Sequence, residues 1–192
     1  MKYRVVRIRR YLAVLLISGL LMIPAQSAAV AGVATGGNLG MLEVSVQVDG
    51  LSCPFCAYGL EKKLRKVENV AGLKIQVDEG RAVLRPEEGT SLDLASVEKA
   101  VRDGGFSPRE ITLRARGQIT EFNGVPALEL PNDTVLLLAD NAETAALLES
   151  MHGTGSDGGG PMVLVEGRAV LESKDGHTGH PYTLTISSFE VD

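Results

Sequence analysis

The sequence predicts an α+β protein in which a ferredoxin-like βαββαβ domain is followed by a small OB-like β-barrel domain. Two observations lead to this prediction. Within residues 42–114, four strand-like segments are interrupted by two segments whose apolar residues recur at helical spacing. Within residues 115–192, five strand-like segments surround one short helix-like segment, which is the order of elements in a small closed barrel.

The first 28 residues have the three-part composition of a secretory signal peptide. Five basic residues precede an apolar run at 11–23, and small residues follow at 27–31, where cleavage is expected. The run is shorter than the roughly 20 residues of a bilayer-spanning helix, although an uncleaved anchor is the alternative. We therefore expect an exported, periplasmic protein. Residues 29–41 are small and glycine-rich, which indicates a flexible linker.

Charge argues against a nucleic-acid partner. Without its first 28 residues the chain holds 14 basic and 24 acidic residues, a net charge of −10. Residues 115–192 carry most of the excess, with 3 basic and 12 acidic side chains, whereas residues 37–114 carry 11 and 12. So acidic a surface repels a phosphate backbone, and an OB-like barrel of this charge is better suited to docking on a protein or a membrane complex.

The elements of residues 42–114 follow from apolar spacing and turn residues. Alternating valines predict a first strand at 44–48, and Leu60 and Leu64 belong to the apolar stripe of a helix at 55–67. Strands at 73–77 and 82–85 flank a hairpin turn. Thr90 is expected to begin a second helix with Asp93 in its first turn, and a fourth strand starts at Ile111.

The elements of residues 115–192 are predicted in the same way, with a boundary near residues 114–117 and almost no linker. Strands are expected at 118–122, 127–130, 134–139, 162–171 and 182–191. A helix capped by Asn141 is expected at 142–151, between the third and the fourth of these strands.

The only two cysteines of the chain, Cys53 and Cys56, form one C-x-x-C between the first strand and the first helix. At the start of a helix, unpaired N–H groups and the positive end of the dipole stabilise a thiolate, which is both a metal ligand and a nucleophile. Two soft sulfurs suit Cu(I) or Hg(II), whereas Zn(II) prefers more donors. No other Cys or His lies within residues 42–114, so a transferred soft ion, Cu(I) first, is favoured.

The segment Gly50-Leu51-Ser52-Cys53-Pro54-Phe55-Cys56, in this order of elements, resembles the heavy-metal-associated domain family. That family includes copper chaperones, the tails of metal-pumping ATPases and a periplasmic mercury-binding protein, and its motif is Gly-Met-x-Cys-x-x-Cys. The resemblance covers residues 42–114. It implies that Cys53 and Cys56 bind the metal, that Leu51 replaces the buried Met, and that Phe106 lies beside the metal loop.

The same resemblance implies a non-enzymatic carrier that is monomeric when metal-free. Its partner would be a metal-transporting membrane protein or another metal-binding domain, which receives the ion by exchange of thiolate ligands. Membrane contact is expected only through that partner or through an uncleaved signal.

The cysteine pair has an alternative interpretation as the active site of an envelope thiol–disulfide redox protein, because Cys-Pro-Phe-Cys also resembles thioredoxin-like sites. The order of elements and the lack of a candidate proline-containing loop argue against it.

Two other groups of side chains are considered as sites. The basic residues of the first helix are either a solvated face or a docking surface for an acidic partner. They are Lys62, Lys63, Arg65 and Lys66. A second, weaker metal site would use two histidines of a predicted hairpin loop, with three other residues as additional ligands. These residues are His177 and His180, then His152, Met151 and Met162.

Overall fold

The computed structural model describes residues 38–151, 161–171 and 182–191. The expected signal peptide, most of the expected linker, and His152, His177 and His180 lie outside the described residues. The elements are β1 (Gly40–Asp49), α1 (Pro54–Leu64), β2 (Val70–Gln76), β3 (Arg81–Pro86), α2 (Leu94–Asp103), β4 (Ser107–Phe122), β5 (Val125–Leu130), β6 (Thr134–Leu138), α3 (Ala142–Ser150), β7 (Met162–Leu171) and β8 (Tyr182–Val191).

The predicted order of elements is confirmed, except that the strands predicted from Ile111 and at 118–122 are one continuous strand, β4, and that the ends of several elements differ. Strand β1 begins at Gly40, because the Met41 side chain is buried and its N–H donates to the Thr90 carbonyl at 3.0 Å. Helix α1 ends at Leu64, three residues earlier than expected. Asp93 is the N-cap of α2 and not part of its first turn, since its carboxylate accepts from the N–H groups two and three residues later.

The first half of the described chain is a four-stranded antiparallel sheet in the order β2-β3-β1-β4. Together with α1 and α2 it forms the predicted ferredoxin-like βαββαβ arrangement. Each helix buries one stripe in the core, and alternate residues of β1 meet it there. The buried side chains of these three elements include Ala57, Leu60, Leu64, Leu94, Val97, Val101, Val44, Val46 and Val48.

Strand β4 belongs to both halves of the chain. One of its edges pairs with β1 over residues 107–116 and then with β5 over 118–122. Its other edge pairs with β7 over residues 111–118. Since β5 pairs with β6, β6 with β8 in parallel, and β8 with β7, five strands are connected in a ring of pairings.

Two glycines allow close approaches in this ring. A Cβ atom on Gly117 would lie 2.4 Å from the Glu129 carbonyl oxygen, at the point where β4 exchanges β1 for β5 as its neighbour. A Cβ atom on Gly167 would lie 2.4 Å from the Thr185 carbonyl oxygen, beside an irregularity in the pairing of β7 with β8. Only a residue without a side chain fits at either position.

The two halves pack closely within the described residues. Their buried side chains belong to one hydrophobic cluster, and the predicted domain boundary at 114–117 falls inside β4. Tyr182 of β8 lies against α2, where burial first and then the charges of Glu98 and Asp93 raise the pKa of its hydroxyl. The division into two domains at that boundary stays a prediction. Among the described residues, no helix is long and apolar enough to cross a membrane.

Candidate metal centre

The loop between β1 and α1 is built to reverse the chain and present Cys53. Gly50 has a φ of +86°, a conformation that residues with a side chain rarely adopt. The N–H of Ser52 donates to the Gly50 carbonyl at 3.0 Å, which tightens the turn. Leu51 is 4% exposed, so it anchors the loop in the core, as the resemblance implied for this position.

Cys53 and Cys56 are brought together at the N-terminus of α1. Cys53 is the N-cap residue with extended backbone, and its carbonyl accepts from the Ala57 N–H at 3.0 Å. Pro54 occupies the first helical position, where its missing N–H has no cost. Both cysteines are free thiols, Cys53 half-buried and Cys56 exposed.

The two thiols shift each other's pKa in opposite directions. The Cys53 side chain makes no capping hydrogen bond of normal geometry, yet nearby donors lower its pKa. In order of effect, these are the Cys56 N–H, the Cys56 thiol and the Phe55 N–H. The same thiol–thiol hydrogen bond, followed by burial and by the charge of Cys53, raises the pKa of Cys56. The reduced pair therefore deprotonates first at Cys53.

This asymmetry predicts which cysteine is alkylated first. Near neutral pH the reduced protein should react with iodoacetamide mainly at Cys53, although Cys56 is the more exposed, because only the thiolate attacks. In Cys53→Ser the partner that raises the Cys56 pKa is lost, so the pH–rate profile of Cys56 should shift to lower pH. Mass spectrometry of the modified peptides measures both. Preferential labelling of Cys56 would contradict the assignment.

The base of the loop is held by contacts from the start of β4. The Phe106 ring lies close to Gly50, where an added Cβ atom would be 3.8 Å from its Cδ1 atom. This agrees with the position that the resemblance implied. Arg109 forms an ion pair with Asp49, the last residue of β1. Sequence reasoning missed this pair, because the two residues are 60 positions apart and only the pairing of β1 with β4 brings them together.

The candidate metal centre offers two metal-binding atoms, the sulfurs of Cys53 and Cys56. Within the part of the chain that the structure describes, no three His, Cys, Asp or Glu side chains lie close enough together to hold a metal ion. Met151, one of the additional ligands expected for the second site, packs against the hydrophobic cluster, and Met162 begins β7. The histidines of that second site lie outside the described residues, so it stays a prediction.

Two aromatic residues beside the cysteines were also missed. Phe55 is 91% exposed and Tyr58 is 71% exposed, both in the first turns of α1. The signal was present in the sequence, since a buried stripe of Ala57, Leu60 and Leu64 leaves positions 55 and 58 on the other side of the helix.

Comparison with known proteins gives structural neighbours. No family model matches the sequence, and no curated protein matches it. Among solved structures, the chain is similar to the N-terminal domain of PacS from Synechocystis PCC6803. The identity is 22%, the TM-score is 0.31, and the match covers 35% of this chain and 92% of that one.

Two further solved structures are similar over about the same share of the chain. One is the CopZ metallochaperone, at 17% identity and a TM-score of 0.32, covering 35% of this chain and 98% of the other. The second is a copper binding domain from HMA7, a P-type ATPase, at 21% identity and a TM-score of 0.30, covering 35% and 89%. The similarity covers 35% of this chain in all three cases. At these TM-scores it supports no conclusion about the metal or the partner.

Proposed function

We propose that this chain is a soft-metal carrier that binds Cu(I) through Cys53 and Cys56 and passes it on by exchange of thiolate ligands. The observation that supports the proposal is the geometry of the pair. Two free thiols three positions apart lie at the N-terminus of α1, one half-buried and one exposed. A two-sulfur donor set matches an ion that accepts linear coordination. Hg(II) fits the same set, and Zn(II) fits it only with donors from water or a partner.

The mechanism follows from the positions of the two sulfurs. The helix N-terminus and its N–H groups stabilise the anionic ligand at Cys53. The exposed Cys56 is the sulfur that an incoming thiolate reaches first. A partner's thiolate can therefore bind the ion while Cys53 still holds it, and Cys56 is displaced and takes up a proton. No covalent bond of a substrate changes, so the protein acts as a carrier and not as an enzyme.

The test is an anaerobic titration of the reduced, full chain with Cu(I) against a competing chelator. The proposal expects one ion per chain, bound tightly enough to compete with the chelator. Hg(II) and Zn(II) are titrated in parallel, and the order of affinity should be Hg(II) and Cu(I) above Zn(II). Reduction of an insulin disulfide, measured on the same preparation, separates a carrier from a redox protein, since a carrier should show almost none.

The remaining parts of the proposal concern location, partner and the second half. The composition of residues 1–28 supports export to the periplasm. A metal-transporting membrane protein or another metal-binding domain is the proposed partner.

For residues 115–192, the ring of β4, β5, β6, β8 and β7, with α3 between β6 and β7, supports an OB-like barrel. We propose that this acidic half serves as an adaptor.

A further inference from the structure

A groove opens between the two halves of the chain, where β7 separates from β4. The pairing of these two strands ends at Ile111 and Ala169. Beyond that point β4 continues beside β1 as far as Ser107, whereas β7 continues beside β8 as far as Leu171. The split leaves a groove of about 670 Å³, which α2 also borders. Neither cysteine lines it, so it is separate from the candidate metal centre.

The walls of this groove carry more positive than negative charge. Three guanidinium groups line it, those of Arg102, Arg109 and Arg168. Two carboxylates line it as well, those of Glu98 and Glu110, so that three positive and two negative charges leave a net charge of +1. Residues 115–192 hold only 3 basic side chains against 12 acidic ones, and one of those three, Arg168, is placed here. A positive groove on an acidic half of the chain indicates a negatively charged ligand.

Arg168 is the guanidinium group that has donors to offer. Its Nη1 atom is 3.7 Å from the Oε2 atom of Glu110, which is too long for a hydrogen bond. By contrast, Arg102 donates to Glu98 at 2.5 Å, and Arg109 donates to the end of β1. A guanidinium group presents its N–H donors in a planar fork, which binds a carboxylate through two parallel hydrogen bonds. A ligand carboxylate can therefore bind Arg168 without displacing a hydrogen bond of the described chain.

The groove also offers an apolar wall and an open strand edge. Val170 is 45% exposed and lies two positions from Arg168 in β7, so both side chains are on one face of the strand, about 7 Å apart along it. Pro108 lines the opposite wall. In the part of the chain that the structure describes, β4 has no strand partner on its β7 side before Ile111. Its backbone groups there are free to pair with an amide of a ligand.

We propose that this groove binds an organic monocarboxylate, whose charged end pairs with Arg168 and whose apolar part packs on Val170. The net charge of +1 in the lining matches one negative charge. A phosphate monoester carries up to about two negative charges and meets the carboxylates of Glu98 and Glu110, so it fits less well. Two sources supply the proposed chemistry, the C-terminal residue of a peptide and a short aliphatic acid. The inference does not depend on metal binding.

Titration of the reduced, metal-free full chain with five small probes at low salt, followed by the amide signals in NMR spectra, tests this inference. The probes are N-acetyl-leucine, hexanoate, acetate, N-acetyl-leucine amide and inorganic phosphate. The first two should give saturable shifts confined to residues 108–110 and 168–170. Acetate lacks the apolar group and the amide lacks the charge, so each should bind at least about tenfold more weakly, and phosphate should also bind more weakly than the first two.

Two variants and two matched controls assign the groups that bind. Arg168→Gln should weaken the binding of N-acetyl-leucine by about tenfold, and Val170→Ser should weaken it by about threefold. Arg85→Gln is the control for the first, because Arg85 forms an equally loose pair with Glu43, at 3.8 Å, outside the groove. Val125→Ser, which alters a 40% exposed valine of β5, is the control for the second. Both controls should bind the probe as the unmodified chain does.

The outcomes separate the two sources and decide on the groove. Tighter binding of N-acetyl-leucine than of hexanoate supports a peptide C-terminus, since its amide can pair with β4, and the reverse order supports an aliphatic acid. The groove is overturned if no saturable shifts occur, if phosphate or the neutral amide binds as tightly as the carboxylates, or if Arg85→Gln weakens binding as much as Arg168→Gln does. Arg168→Gln should leave the Cu(I) affinity unchanged, so failure of this inference leaves the proposed function standing.

Discussion

Replacing either Cys53 or Cys56 by serine is expected to lower the Cu(I) affinity by more than about 100-fold. Mutating a residue that only orients a metal ligand already lowers metal affinity by up to about 100-fold, so losing a ligand should have a larger effect. The described residues around the pair offer no third side chain that could take the place of a lost sulfur. A serine hydroxyl is a hard, neutral donor, so each variant keeps one of two bonds to a soft ion. Chelator competition under anaerobic conditions measures the change.

The control for these variants is Ser52→Ala, which alters an exposed side chain in the same loop and leaves both sulfurs in place. Its Cu(I) affinity should equal that of the unmodified chain. Since Cys56 is exposed and Cys53 only half-buried, Cys56→Ser and Cys53→Ser should both stay folded, which circular dichroism verifies. Retention of tight binding in both single variants would contradict the assignment of the ligands.

Replacing Gly117 by valine is expected to lower the free energy of unfolding by about 1–3 kcal/mol, the usual cost of an overpacked position. The added Cβ atom would lie 2.4 Å from the Glu129 carbonyl oxygen and 2.7 Å from a methyl carbon of Leu130. The obstructing oxygen is part of the backbone of β5 and cannot rotate away. Strand β4 would have to separate from β5, which opens the ring of strands. Urea unfolding of the reduced, metal-free chain measures the loss.

Gly59→Ala is the matched glycine control for stability. Gly59 lies inside α1 with open space around it, so alanine should stabilise the chain by about 0.5–1 kcal/mol through its higher helix propensity. If Gly117→Val unfolds at the same urea concentration as the unmodified chain, the close approach of β4 and β5 is not as described.

The ferredoxin-like part could be predicted from the sequence because its local signals agree with one another. The valines of β1 alternate, the apolar residues of α1 and α2 recur at helical spacing, and turn residues separate the strands. Strands β7 and β8 were predicted to the residue for the same reason. The start of α2 was predicted at Thr90, whereas its N-cap is Asp93, because Thr90 offers an equally good local start.

The joining of the two halves could not be predicted from local signals. A boundary near residues 114–117 was expected between two predicted strands, yet β4 runs through it as one strand of 16 residues. Which strands pair with each of its edges depends on contacts between residues far apart in sequence. The Arg109–Asp49 pair at the base of the metal loop was missed on the same ground.

The two cysteines could be selected as site candidates from the sequence, because C-x-x-C at the start of a helix is typical of a metal-binding or redox-active pair. What the sequence did not disclose was the surface around them. Exposure of Phe55 and Tyr58 depends on nothing else in the described chain covering them, and that is a property of the whole fold. A hydrophobic residue next to a motif is ordinarily expected to be buried, so sequence reasoning passed over both.

X-ray absorption spectroscopy of the Cu(I)-loaded full chain, prepared anaerobically with one ion per protein, identifies the atoms bound to the ion. We expect two sulfur neighbours, near-linear geometry and no nitrogen ligands, and loss of this spectrum in Cys53→Ser and Cys56→Ser. A first shell containing histidine nitrogen, or an unchanged spectrum in the two variants, would contradict the claim that Cys53 and Cys56 hold the ion.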